Sequence, residues 1–361
     1  MRHLATIREI ASLRPIAGAD RIEVAQVDGW ECVVQKGEFH TGEHIVYIEV
    51  DSIVPERPEF EFLRDRKFRV RTIKLRGQVS QGLVLPLSIL PNGTPAILGA
   101  DVTDALGIKK YDPEAQQEAQ LLTKQPQKPQ SAIARFLMRF KWYRKLFMKP
   151  KRKGGFPDWI AKTDETRIQN LTTLFEMERN KGTKFSVTEK VDGQSATYYL
   201  RKVSKRKYEF GVCSRNIYLG TPDNSSYWTI ARQLHIEDAL KHLVGDYETI
   251  VLQGEICGNQ IQGNKYHISG YDLFAFNLIY PDHKCGTAEI KKLLEPYGIK
   301  TVPIVEEDKT LPETIAELVE YSKGKSVVRK EQKREGVVMR NVQSNISFKV
   351  INPDFLLAEK D

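Results

Sequence analysis

Alternation of apolar and polar residues dominates roughly the first hundred positions, with the two-residue period of strands buried on one face. It is read in Arg21-Ile-Glu-Val-Ala-Gln-Val, Trp30-Glu-Cys-Val-Val, His44-Ile-Val-Tyr-Ile-Glu-Val and Lys67-Phe-Arg-Val-Arg-Thr-Ile. Turn pairs punctuate these runs at Asp28-Gly29, Lys36-Gly37, Thr41-Gly42 and Arg76-Gly77. Many short strands in so little chain predict a small closed β-barrel over residues 1–110. On the last of these strands Arg69, Arg71 and Lys67 fall on one face, which is either solvated or turned towards RNA or DNA.

The pattern then changes. A Gln/Pro-rich piece, Gln116 to Gln130, reads as a linker. In Ala132–Met148 the residues Ile133, Phe136, Leu137, Phe140, Tyr143, Leu146 and Phe147 fall near helical spacing with bases between them. Such a face suits a phosphate backbone or docking on a neighbouring domain, ahead of a membrane surface. Residues 111–155 are therefore expected to form a basic linker and helix, and residues 156–361 a second domain. That domain opens on Phe156-Pro-Asp-Trp with a helix after it.

Charge sharpens this division. The 361 residues carry 55 bases and 47 acids, a formal +8. Between Glu118 and Asp158 there are eleven bases and no acid, and setting those eleven aside leaves the rest at −3. The basic character thus belongs to the connecting segment. A hydrophobic fraction of 40% speaks against wholesale disorder, and no apolar run reaches the ~18 residues of a membrane span. No signal peptide is expected at the start. The four cysteines (Cys32, Cys213, Cys257, Cys285) form no C-x-x-C pair, so they are expected to be reduced thiols in a cytoplasmic protein.

Candidate chemistry begins at Glu189-Lys190-Val191-Asp192-Gly193, between two β-rich runs. Taken alone, Lys-x-Asp-Gly is most simply a hairpin turn. A lysine at a strand end beside a carboxylate and a permissive glycine is also open to a ligand. It acts as a nucleophile only when neutral, after desolvation or the approach of cations. Later strand-like runs each carry a charged or aromatic residue where a buried strand is usually apolar. They are Val212-Cys-Ser-Arg-Asn, Val251-Leu-Gln-Gly-Glu-Ile-Cys-Gly, Tyr271-Asp-Leu-Phe-Ala-Phe-Asn-Leu, Arg334-Glu-Gly-Val-Val-Met-Arg and Ser347-Phe-Lys-Val-Ile-Asn. A lone Glu255 or Arg215 would be read as a paired structural ion; the ordered set is harder to treat as accident.

This set resembles the covalent nucleotidyltransferases, and among them ATP-dependent RNA ligases, over residues ~156–357. The first domain resembles the OB-type barrels appended to tRNA synthetases, and the whole chain looks like ligases whose OB-like domain precedes the catalytic one. The resemblance implies an α+β fold: an OB-like barrel, then a nucleotidyltransferase (ATP-grasp-like ligase) domain of antiparallel sheets with helices. It makes Lys190 the nucleotidyl-lysine in a motif closed by Gly193. Arg215, Glu255, Phe276 (with Phe274 on the same strand face), Glu335 and Lys349 become the motif residues that follow.

Two departures stand out. Ser195 occupies a position where DNA ligases and capping enzymes usually carry Arg, which favours an RNA ligase. Ser347 precedes Phe348 where many relatives have a lysine, which shifts weight to Lys349. With twelve residues after Lys349, the DNA-ligase arrangement with its OB domain after the last motif is not expected.

By resemblance, Lys190 takes AMP from ATP, Lys349 meets the α-phosphate, Phe276 stacks on adenine, and Glu189 contacts the adenine amino group. Glu255 is expected at the ribose hydroxyls, and Arg215 at phosphate or the polynucleotide end. Mg²⁺ or Mn²⁺ is expected near Glu335 and Glu255. The implied substrate is RNA or RNA/DNA ends bearing 3′-hydroxyl and 5′-phosphate, as a nicked duplex under repair. On this view the barrel and basic segment grip nucleic acid, so removing residues 1–110 would spare adenylylation of Lys190. The alternatives are a DNA ligase, a GTP-using capping enzyme, a non-catalytic nucleic-acid-binding protein, and, from the barrel alone, a tRNA-handling accessory.

Overall fold

The computed structural model describes residues 3–112, 154–204 and 207–358. The basic helix expected over Ala132–Met148, with most of segment 111–155, lies outside them.

The first domain is built from short antiparallel strands around an apolar core. Ala5–Glu9 and Leu83–Pro86 flank His44–Ile48, while Ser12–Pro15, Ile22–Val27 and Trp30–Gln35 form a second meander. Alternate residues of His44–Ile48 serve two sides of the core. Val46 and Ile48 join Ile7, Phe60 and Leu106, whereas Ile45 and Tyr47 join Val27 and Trp30. Four of the predicted turn pairs fall where the chain reverses, with left-handed Asp28, Gly37, Gly42, Arg76 and Gly77.

The single strand expected at Lys67–Ile73 is not formed. A 3-10 helix, Pro58–Arg66, ends on left-handed Lys67, and Phe68 is left-handed as well. That reversal carries Phe68 into the core, and short strands resume at Arg69–Val70 and Ile73–Leu75. Lys67 therefore shares no strand face with Arg69 and Arg71.

The second domain holds two sheets. The larger runs in the order Gly154–Gly155, Ile217–Tyr218, Lys207–Cys213, Gln194–Ser204, Thr249–Gly258, Tyr271–Ile279 and Lys300–Thr301. It is antiparallel except for its last pair, which is parallel. The smaller sheet, fully antiparallel, orders Ile304–Lys309, Phe185–Glu189, Gly336–Asn341 and Ile346–Ile351. Ala196, Tyr198 and Leu200 face a core closed by helices Ser226–Gln233 and Ile236–Leu243. The helix expected after Phe156 arrives at Thr172–Lys181, behind an irregular approach.

The strands on either side of Lys190–Gly193 belong to different sheets. The motif is thus a crossover between sheets and not the tip of a hairpin, which places the lysine in the cleft between them.

The barrel is fastened to this domain through residues 164–170. Trp30 Nε1 donates to Asn170 Oδ1 at 2.7 Å, and Asn170 Nδ2 donates to Glu49 Oε1 at 2.7 Å. Buried Arg167 pairs with Asp51 at 3.2 Å, and Lys110 with Asp164 at 3.3 Å. A β-carbon at Gly29 would stand 2.7 Å from Gln169 Cα, so only glycine allows this approach.

Candidate active site

The cleft contains a cavity of about 880 Å³. All eight residues singled out in the sequence line it: Glu189, Lys190, Gly193, Arg215, Glu255, Phe276, Glu335 and Lys349. They arrive from both sheets because the crossover joins them.

Lys190 donates to Glu335 Oε2 at 2.7 Å, and its backbone N–H to Gly336 O at 3.0 Å. Burial pulls its pKa down, but Glu335, Glu255 and Asp192 together outweigh that and hold it above the ordinary lysine value. In the protein alone these carboxylates favour the protonated amine, so the neutral form expected at reaction depends on cations that offset them. Gly193 must lie against the Glu255 strand, since a β-carbon there would come within 2.4 Å of Ile256 O.

Glu189 is buried, and burial pushes its carboxyl above the usual carboxylate range. Its Oε2 accepts from Val327 N at 2.7 Å, and Ser326 and the Val328 N–H also bear on the carboxylate, while Oε1 makes no hydrogen bond of good geometry among the described residues. A buried acceptor of this kind suits a donor on a ligand. Phe276 lines the cavity with the Arg340 guanidinium 5.6 Å from its ring centre. Phe274 is buried beside Val191, Cys257 and Tyr266 and supports this wall from behind.

Arg215 pairs with Asp164, and Lys349 also bears on Asp164. Ser347 donates to Glu165 at 2.7 Å and does not line the cavity, consistent with weight shifting to Lys349. Arg334 is buried on the carbonyls of Tyr321, Ser322 and Lys323, a structural role.

Asp192 was read only as the carboxylate beside Lys190, and Lys265 and Arg340 were given no role, yet all three line the cavity. Asp192 is pushed up to about 6 by burial and by Glu335, against the pull of Lys265, which donates to it at 2.6 Å. Lys265 sits in the turn Gln260–Lys265, where Gln262 and Asn264 are left-handed. Arg340 is buried, donates to Thr188 Oγ1 at 2.9 Å and lies 3.7 Å from Glu165. Its Arg was visible in Arg334–Arg340, but nothing in sequence showed which way it faces.

The barrel also supplies Asp51, Arg69, Arg71 and Lys110 to the same cavity, with Tyr111 just past its end. Arg69 pairs with Asp51 at 2.8 Å and stacks 3.6 Å from the Tyr111 ring centre. Arg69 and Arg71, expected on a solvated or nucleic-acid-facing surface, thus stand at the cavity beside residues of the second domain.

Asp192, Glu255 and Glu335 all act on the Lys190 amine without gathering their oxygens into one close ligand set; hard-oxygen groups of this kind suit a Mg²⁺ or Mn²⁺ held largely by water. Cations from both domains and an aromatic wall fit a nucleoside triphosphate. His283, Cys285 and Glu289 also cluster, but outside the cavity, and Glu289 is engaged in capping Gly286 N at 3.2 Å.

Comparison with known proteins bears on the whole chain. A family model described as an OB-fold domain matches residues 4–87, and one described as RNA ligase matches residues 183–351. Among solved structures, the chain is similar to a mutant Naegleria gruberi RNA ligase with AMP and Mn, at 34% identity over 100% of both chains and a TM-score of 0.80. A mutant of that ligase with ATP and Mn gives 34% identity over 100% of both chains, TM-score 0.80. The same ligase with pyrophosphate gives 34% identity over 99% of this chain and 98% of that one, TM-score 0.79. No curated protein matches.

Proposed function

The chain belongs to the RNA ligase family, and from that premise we propose that it joins RNA 3′-hydroxyl and 5′-phosphate ends with ATP, through AMP held on Lys190. The observation that carries this reading is the Lys190 amine at the sheet crossover, with Glu335, Glu255 and Asp192 acting on it in a cavity rich in cations.

In the first step the Lys190 nitrogen attacks the α-phosphorus of ATP. The amine proton passes to Glu335, its hydrogen-bond partner, the N–P bond forms, the bond to the bridging oxygen breaks, and pyrophosphate leaves. Lys349 faces the α-phosphate, whose charge grows in the transition state. Phe276 stacks on adenine, and Glu189 Oε1 receives its amino group. Arg215 and the barrel cations Arg71 and Lys110 meet the remaining phosphates, with Glu255 near the ribose or the metal. Glu335 and Glu255 would hold a divalent cation, Mg²⁺ or Mn²⁺, which would supply positive charge beside the amine and the phosphate. In the second step AMP passes from Lys190 to a 5′-phosphate. In the third a 3′-hydroxyl attacks that phosphorus and AMP departs.

The substrate is read as a nicked duplex with RNA on the 3′-hydroxyl side. No described helix is long and apolar enough to cross a membrane. The four cysteines are free and buried, which fits work in the reducing cytoplasm. The residue division into a barrel (1–110), a basic connector (111–155) and an adenylyltransferase domain (156–361) is part of the same reading.

The test of the first step is incubation with α-labelled ATP and metal, followed by denaturation. Label is expected on wild type and absent from Lys190→Ala; label retained by that variant would remove Lys190 from its role.

A further inference from the structure

Ser195, Thr197, Tyr199 and Arg201 point to the face of the large sheet away from its main core, and the segment Trp159–Thr163 runs along them. Thr163 Oγ1 lies 2.7 Å from Ser195 Oγ, both lining the cavity. Two residues back, Ala161 O accepts from Gln253 Nε2 at 2.8 Å, beside Thr197. Two further back, Trp159 meets the Tyr199 ring edge-on at 5.2 Å, and the Arg201 guanidinium lies 5.8 Å from the Trp159 ring centre. This ledge therefore starts at the cavity and reaches Trp159 after about 13 Å, four residues of strand.

Trp159 is 39% exposed, although the sheet beneath offers the apolar Tyr199 and Cys213 for burial. Exposed Lys162 and Arg201 stand along this face, and Lys162 Nζ reaches Asn216, next to Arg215 of the cavity. Asp158 and Glu209 stand among these cations, so attraction to phosphate does not by itself define the ledge; its distinctive element is an aromatic ring flanked by a guanidinium. Bases of an unpaired or fraying strand stack on such a pair, while a neighbouring lysine tracks the backbone.

We propose that Trp159, with Arg201, is a stacking platform for a base of the RNA strand leaving the cavity. The proposal rests on the ligase reading and gives the substrate an exit path along the outer face of the large sheet.

The experiment compares wild type, Trp159→Phe, Trp159→Ala and Arg201→Ala on a nicked duplex carrying RNA, with Lys190 adenylylation measured in parallel as a check of fold and site. Trp159→Ala is expected to weaken binding roughly 5- to 150-fold, the worth of one stacked base. Trp159→Phe should restore most of it, and all variants should take AMP as wild type does. In wild type, 4-thiouridine placed two or three nucleotides from the join should crosslink to the peptide containing Trp159. Unchanged binding in Trp159→Ala, or crosslinks only elsewhere, overturns the platform and leaves the ligase reading standing. A wild-type chain that forms no lysyl adenylate overturns that reading, and the platform with it.

Discussion

A lysine held among Glu335, Glu255 and Asp192 keeps its proton, so residues that spread the charge of those carboxylates matter as much as those that touch ATP. Lys265 does so for Asp192, at 2.6 Å. Without it, Asp192 would either protonate or draw the Lys190 ammonium away from Glu335. Lys265→Met is expected to slow adenylylation of Lys190 by about tenfold, on the order of 1.4 kcal/mol of transition-state stabilisation lost. Lys265→Arg should recover part of the rate, and single-turnover labelling at saturating ATP is the measurement. A Lys265→Met rate equal to wild type would leave that lysine merely structural. At this scale Arg215, Glu255, Phe276, Glu335 and Lys349 were legible because each breaks an apolar strand pattern, and their order after Lys-x-Asp-Gly carried the resemblance. Lys265 was not: its partner lies 73 residues away, and no local pattern announces a pair of that kind.

Strand pairing explains why the motif glycines cannot vary. Gly336 has φ +154, and a β-carbon there would stand 2.2 Å from Val350 O on the neighbouring strand. Gly336 O also accepts the Lys190 backbone N–H, so any shift reaches the nucleophile and Glu335 together. Gly336→Ala is expected to cost about 1–3 kcal/mol of stability through overpacking. Its loss of adenylylation should exceed what the unfolded fraction explains. A Tm series paired with labelling at a temperature where the variant stays folded checks this. Most strands and turns could be read from alternation and from Gly-containing pairs. What alternation could not supply was which sheet a strand joins. Hence Lys-x-Asp-Gly resembled a hairpin, and Lys67–Ile73 a strand, until the Phe68 side chain was seen turned into the core.

In the whole molecule, the barrel and the cleft form one cavity wall, and Asp164 is one of the joints. Burial raises its carboxyl, but Arg215, Lys110 of the barrel and Lys349 outweigh this, leaving it below the ordinary aspartate range. A carboxylate with a depressed folded pKa contributes stability that is present above its unfolded value. That stability is lost as pH falls through the folded one, here below about pH 4. Denaturation of Asp164→Asn should therefore depend less on pH in that window than wild type does.

The barrel's place also changes what its removal does. Asp51 holds both Arg69 and the buried Arg167, and Arg71 and Lys110 line the cavity that contains Lys190. A chain starting at Gly154 uncovers Arg167 and strips those cations from the phosphate end of the cleft. It is expected to lose Lys190 adenylylation as well as end-joining, with circular dichroism confirming that the remainder folds. Because a deletion also exposes surface, Arg71→Ala in the full chain is the sharper probe. With the barrel docked and Tm unchanged, adenylylation at limiting ATP should fall several-fold, about 1 kcal/mol for one charged contact. Saturating ATP should restore much of the rate. Full adenylylation in both the folded deletion and Arg71→Ala would return the barrel to a purely polynucleotide role.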